Sequence, residues 1–380
     1  MNRCLSIVFK IMFLARPEGG SCIVNTATTD NAAQKHYLEC YIIILTLCEM
    51  LSSLSAWSAD QAAATVRFSD AFGNPVQVAA PVRRIVVTNG DAVEILCAIG
   101  ARDNIIGISS HTAKNPGPAG EMTGKTTVGS TMNPSIEKII ECRPDLVIAY
   151  EMWMSQKAFE AKLIPLGIPV ARMYCYRIDH LDEEIRVLGR LVGRQDQAEA
   201  YIAYKNRIID TVNQKTGNLK PKIRVYNESY APYKTVSDGC GADLLLDLAG
   251  VENIAAGQPI PWPEATSEWL VEQNTDLIIK VASATFIKNG YGVDDVQAMD
   301  AFRNALIARP AWNRIKAVKN GRVHILASEL WVGPRAPIGI LYMARWAYPE
   351  QFADMDPEAI HRQWLKKWHD QELKGIYVYP

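Results

Sequence analysis

Lysine and arginine form no long run in this 380-residue chain, and Lys+Arg 40 against Asp+Glu 41 leaves a formal net charge of -1. Nucleic-acid phosphates demand a clustered basic face, so no nucleic-acid partner is expected. No GxGxxG opens a helix, and GxxxxGK[ST], GxSxG and HExxH are absent. The signatures of dinucleotide, nucleotide, serine-hydrolase and zinc-protease chemistry are therefore missing. Histidine is scarce as well: His111, His180 and His324 lie in loops far apart in the chain, too few for the converging ligands of bare Zn²⁺ or Mn²⁺. No cysteines pair as CxxC; Cys97, Cys142, Cys175 and Cys240 are scattered beside apolar residues and read as small core residues. A disulfide between two of them stays open.

Hydrophobic residues make up 48% and charged residues 21%, enough to bury more than one core and to form two domains. Residues 1–64 read as a leader. Its apolar stretch at 41–54 is short for a membrane span and follows Lys35 and His36, with small residues at Ala56 and Ser58, which is the pattern of a signal peptide. An uncleaved anchor is the alternative, and Cys48 after the bulky Leu47 makes a poor lipidation site. Either route places the body outside the cytoplasm, periplasmic or extracytoplasmic, free or tethered to the membrane. A start codon set too far upstream would account for residues 1–34.

From residue 65 the chain alternates short apolar strands with helical patterns: Arg84 to Thr88, a helix to Gly100, Asn104 to Ile108, Pro134 to Cys142, Asp145 to Ala149 and Val170 to Tyr174. Continuous apolar strands between helices predict a sheet covered on both faces. Residues 65–180 thus form an N-terminal α/β lobe. From 181 to 220 only helical spacing is present, with breaks near Gly189 and Gly193, and a long linking helix is expected there. Residues 221–380 resume the α/β pattern and close with helices at Gly339 to Tyr348 and Pro357 to His369. The fold class is α/β: two Rossmann-like lobes joined by a single long helix, with a ligand cleft between them. No internal repeat is strong enough to assert.

Three groups of motifs carry a resemblance that runs from about Val66 to His369. They are Pro134-Ser135-Ile136-Glu137-Lys138-Ile139 with Arg143-Pro144-Asp145-Leu146-Val147-Ile148, Arg309-Pro310-Ala311-Trp312 with Ala317-Val318-Lys319-Asn320-Gly321-Arg322-Val323, and Trp262-Pro263-Glu264-Ala265-Thr266-Ser267-Glu268. In these the chain resembles the helix-linked class of ABC-transporter solute-binding proteins, which carry iron-siderophores, haem and cobalamin. The resemblance implies a monomer that opens and closes only slightly and hands a metal chelate to an ABC permease and its ATPase. It also implies docking through one exposed acid on each lobe, at positions matched by Glu137 and Glu268. Two carboxylates spaced across a bilobed body would fix orientation and speed encounter. Read without the resemblance, both are helix first-turn acids favoured by the dipole.

The ligand is expected where loops at strand ends converge between lobes. The candidates are Asn89, Tyr150, Trp153 and Tyr176 from the first lobe, and Tyr230, Trp262, Trp331 and Arg335 from the second. Aromatic groups suit the faces of a macrocycle or catecholate, and Arg335, between Pro334 and Pro337, suits an anionic group. The implied cargo is an iron chelate, haem or cobalamin, siderophore complexes first, with no resident cofactor, catalytic residue or metal. His111 or Tyr150 as an axial ligand is a variant of this reading. The alternatives are a free-metal-ion binding protein and a metallocluster or chelatase-like enzyme of related bilobed architecture.

Overall fold

The computed structural model describes residues 64–114, 117–120, 122–151 and 156–380. The leader with its apolar stretch at 41–54, and Trp153, lie outside the described residues. The chain begins with an antiparallel hairpin, β1 (Ala64–Ser69) and β2 (Pro75–Ala80), whose turn is organised by Asp70 accepting from the amides of Phe72 and Asn74.

The first sheet has the order β5-β4-β3-β6-β7, all parallel: β3 (Ile85–Val87), β4 (Ile105–Ile108), β5 (Thr126–Thr127), β6 (Leu146–Tyr150) and β7 (Val170–Met173). Its central strands are apolar on both faces because helices cover both. Helix α1 (Gly90–Ala98) follows β3, and α2 (Ile136–Cys142) leads into β6.

The connection between lobes is two helices. Helix α3 (Leu181–Val192), with Leu181, Ile185, Leu188 and Leu191 buried, packs onto the hairpin and α1. Gly193 ends it in the left-handed region, φ 69, which a residue with a Cβ adopts only at a cost. Helix α4 (Gln195–Thr216) then makes the crossing; its 22 residues extend about 33 Å at 1.5 Å each. Ala198, Tyr201, Ile202, Lys205, Ile208, Ile209 and Val212 form its buried stripe.

The second sheet runs β14-β12-β10-β8-β9, from β8 (Arg224–Glu228), β9 (Glu252–Asn253), β10 (Leu277–Ala282), β12 (Val323–Ala327) and the antiparallel edge strand β14 (Val378–Tyr379). A short pair, β11 (Gly290–Tyr291) and β13 (Gly375–Ile376), lies apart from it. Helix α5 (Asp243–Leu248) precedes β9, and α6 (Ser267–Gln273) precedes β10. Helices α7 (Ala336–Ala347) and α8 (Pro357–His369) follow.

The repeat invisible in the sequence is plain in the topology. Both lobes contain four parallel strands in the spatial order second, first, third, fourth: β4-β3-β6-β7 and β9-β8-β10-β12. Local detail repeats too. Helices α2 and α6 end at left-handed Arg143 (φ 48) and Asn274 (φ 47). Two residues later Asp145 and Asp276 accept from the amides of Arg84 and Arg224 at the start of the neighbouring strand.

The closing helices do not stay with the second lobe. Trp364 and Trp368 of α8 meet the Tyr201 ring on α4 edge-on at 5.3 and 4.9 Å, and α8 also packs against α1. One continuous apolar core therefore runs from β2 and α1 through α4 to α7 and α8. Such a shared core resists wide hinge opening.

Candidate functional site

The carboxyl ends of β3, β6 and β7 carry the first-lobe candidates, and those of β8 and β12 carry second-lobe ones. Asn89 is fully buried and serves the scaffold: its Oδ1 caps α1 by accepting from Ala92 N at 3.0 Å, and its Nδ2 donates to Met173 O on β7 at 2.9 Å. Next to it, Asp91 accepts from the Tyr150 hydroxyl at 2.7 Å. Burial pushes the Asp91 carboxyl up to about 7, against the lowering effect of the Tyr150 hydrogen bond, with Glu94 raising it further.

Tyr176 donates its hydroxyl to Glu151 at 2.6 Å, and its ring lies 6.4 Å from Tyr150 and 6.0 Å from Tyr174. The turn bearing it is held by Glu184 of α3, whose two oxygens accept from the amides of Tyr174 and Cys175 at 2.7 and 2.6 Å. Burial raises Glu184 to about 7 as well, although those amides oppose the shift. Cys175 sits at φ 55, a strained value for a residue with a side chain.

On the second lobe Trp331 is buried and donates its indole N–H to Asn227 at 3.1 Å. The rings of Tyr230 and Trp262 stand edge-on to it at 5.3 and 6.0 Å. These two are the accessible members, 43% and 39% exposed. The Tyr230 loop rests on a buried cation: Lys280 Nζ donates to the carbonyls of Ser229, Tyr230 (3.1 Å) and Ala231 (3.4 Å) and pairs with Glu228 at 3.0 Å. Arg309 grips the same Glu228 through two bonds of 2.6 and 2.9 Å.

The lobes meet beside these groups. Gly333 donates its amide to Tyr176 O at 3.0 Å. Gly333 has φ +88, a region that favours glycine, and a Cβ there would lie 2.7 Å from Asp91 Oδ1, so the carboxylate would have to shift. Arg335, expected to meet an anionic part of the ligand, lies buried in this seam instead. Its Nε donates to Glu94 of α1 at 3.1 Å and its Nη2 to Glu329 at 2.9 Å, while Nη1 is buried without a partner. His361 and His369 of α8 are pushed down to about 3, by burial first and then by the Arg335 charge.

The fold places Tyr150 beside Tyr176, and Tyr230 and Trp262 beside Trp331. Glu151, Glu184 and Lys280, which hold these loops, are not among the sequence candidates. The first stands next to Tyr150 and could have been flagged as an acid at a strand end. Long-range partners gave no local signal for the other two.

Glu137 and Glu268 are exposed in the first turns of α2 and α6, behind the capping side chains of Ser135 and Thr266. They occupy equivalent places in the two lobes, each eight residues before the matched Asp145 or Asp276. Hydrogen bonding to its own amide, then to the Ser135 hydroxyl, holds the Glu137 carboxyl below the usual range. Among the described residues no three His, Cys, Asp or Glu groups converge as a metal site, and Cys97, Cys142, Cys175 and Cys240 are unpaired. Among them, too, no helix is long and apolar enough to cross a membrane.

Two α/β lobes of like topology, joined through α3 and the crossing helix α4, give the architecture of a bilobed binding protein. Residues 85–330, from β3 to Leu330 beside Trp331, match the periplasmic binding protein family, and the chain belongs to that family. It is 26% identical over 298 residues to the uncharacterized ABC transporter substrate-binding lipoprotein YvrC of Bacillus subtilis, covering 76% of this chain and 87% of that protein. It is 22% identical over 215 residues to the vitamin B12-binding protein of Yersinia pestis, covering 57% of this chain and 74% of that one. The TroA-like periplasmic binding protein FepB of Veillonella parvula superposes with a TM-score of 0.68 at 20% identity, covering 83% of this chain and 99% of that one. At that identity the structural likeness bears on the fold alone. The chain is the solute-binding component of an ABC importer.

Proposed function

We propose that this protein works outside the cytoplasm and holds a metal chelate, an iron-siderophore or a corrinoid, between Tyr150 and Tyr176 on one lobe and Tyr230, Trp262 and Trp331 on the other. It delivers this cargo to a membrane permease and its ATPase and performs no chemistry on it. The observation that carries the reading is an aromatic cluster in the loops of each lobe, Tyr150 with Tyr176 and Tyr230 and Trp262 with Trp331, beside the place where Gly333 of one lobe bonds Tyr176 of the other. Flat rings of this kind bury the faces of a macrocycle or an aromatic chelator. A vitamin B12-binding relative is in keeping with it. The free-metal alternative lacks a ligand cluster among the described residues.

Tryptophan fluorescence of the purified protein, titrated with ferric siderophores, haemin, cobalamin and free divalent metals, tests the cargo. Saturable quenching by one chelate, weakened about tenfold or more when Tyr230 and Trp262 are both changed to alanine, is the expected result. A response to a free metal only, or none from folded protein, would overturn it. Docking through Glu137 and Glu268 is tested separately: reversing both charges to lysine should leave chelate affinity unchanged while abolishing salt-sensitive stimulation of the permease-bound ATPase.

A further inference from the structure

We infer that Glu151 is a ligand-directed carboxylate and that the cleft therefore selects chelates bearing a hydrogen-bond donor or a positive charge. This rests on the chelate reading above and names the class of chelate. Glu151 follows Tyr150, the last residue of β6, and is only 7% exposed. Its Oε1 accepts from the Tyr176 hydroxyl, whereas Oε2 is buried with no hydrogen-bond partner among the described residues. A buried carboxylate oxygen left bare costs more than a typical hydrogen bond yields, so folded proteins keep one where something else completes it.

Among the described residues no cation pairs with this group. Arg177, from the neighbouring turn, is committed to Asp179 at 3.1 and 2.7 Å. Arg172 is committed to Glu160 and to Tyr150 O, each at 2.9 Å. Arg335 is taken by Glu94 and Glu329. The ionisable groups that feel the Glu151 charge are Tyr174, Tyr176, Cys175 and Glu184, each of which is pushed upward in part by it. Tyr176, to which Glu151 is tied, is bonded through its main chain to Gly333 of the opposite lobe. Glu151 thus stands by the seam with acceptor capacity and negative charge unspent. Amide N–H groups on a corrin rim, or the ammonium of a hydroxamate chelate, complement it; the oxygens of a catecholate complex repel it.

The test uses the purified protein and three variants, Glu151→Gln, Glu151→Ala and Tyr176→Phe, each checked for fold by circular dichroism and melting temperature. Each is titrated calorimetrically with ferrioxamine B, a cationic ferric trihydroxamate, with cyanocobalamin, neutral and fringed with amides, and with ferric enterobactin, a triply anionic catecholate. The wild type should bind a donor-bearing chelate and reject the anionic one. Glu151→Ala should weaken the favoured chelate about 10- to 100-fold. Glu151→Gln should cost most with the cationic probe, and Tyr176→Phe should leave the order of preference intact. Preference for ferric enterobactin in the wild type, or equal effects of Glu151→Gln on all chelates, would overturn the inference and leave the chelate reading standing. Failure of folded wild type to bind any of the three would remove both.

Discussion

On the first lobe the cleft is furnished with phenols tied to acids: Tyr150 to Asp91 and Tyr176 to Glu151. On the second it is furnished with edge-packed rings, Tyr230 and Trp262 about Trp331, over a buried cation network of Lys280, Glu228 and Arg309. The strand order beneath is the same. The lobes differ in what the strand-end loops require for support. The second-lobe loop needs a cation, because the carbonyls of residues 229–231 turn inward and must find donors. The first-lobe turn presents amides instead, and Glu184 supplies the acceptor. One loop is braced by a buried donor and the other by a buried acceptor.

The largest break in this comparison should come from Lys280→Met. The substitution leaves three inward carbonyls without their donor and Glu228 with only Arg309 as a charged partner, so urea unfolding should show a loss of about 3–5 kcal/mol. Gly333→Ala strikes the seam between the two styles. A positive φ and a Cβ that displaces the Asp91 carboxylate predict a loss of about 1–3 kcal/mol in the same measurement, with weaker chelate binding because Asp91 no longer holds Tyr150 in place.

Acid–base behaviour sharpens the contrast. Asp91 and Glu184 titrate near 7, above their unfolded values, so between about pH 4 and 7 the folded protein holds protons that the unfolded chain has released. Their contribution is full at the acid end and falls as pH rises through 7. His361 and His369 act oppositely, since both stay neutral in the fold down to about 3 and cost stability as pH drops below their ordinary range near 6.5. Asp91→Asn should therefore raise the melting temperature by a few degrees at pH 8 and leave it unchanged at pH 4, where a scan across that range reads the difference.

How much of this was legible follows from distance along the chain. Strands such as Leu146–Tyr150 declare themselves because continuous apolar runs are local, and Gly193 marks a helix end by itself. Strand-end loops could be listed once strands were known. Arg335 could not be placed, because its partner Glu94 is 241 residues away and only folding brings them together. A stiff Pro-flanked loop suggested a charge offered to a ligand; the same stiffness aims that charge into the seam. The repeat escaped notice because loops and helix lengths diverged. The spacing from Glu137 to Asp145 and from Glu268 to Asp276 was its surviving trace.

The smallest effect on folding, and the cleanest on binding, should come from Trp262→Ala. Trp262 is 39% exposed and touches Trp331 by an edge, so its removal opens no core cavity and should cost about 0.5 kcal/mol in urea unfolding. If its ring instead covers a bound chelate, the same change should weaken binding about tenfold, as loss of an interfacial aromatic does. Trp331→Phe offers the reverse case: it strips the indole N–H from Asn227 deep in the lobe and should lower stability more than affinity. Comparable losses of affinity from both would mean that the second-lobe rings act as one rigid block, whereas a selective loss in Trp262→Ala would separate the ring that meets cargo from the ring that holds it in place.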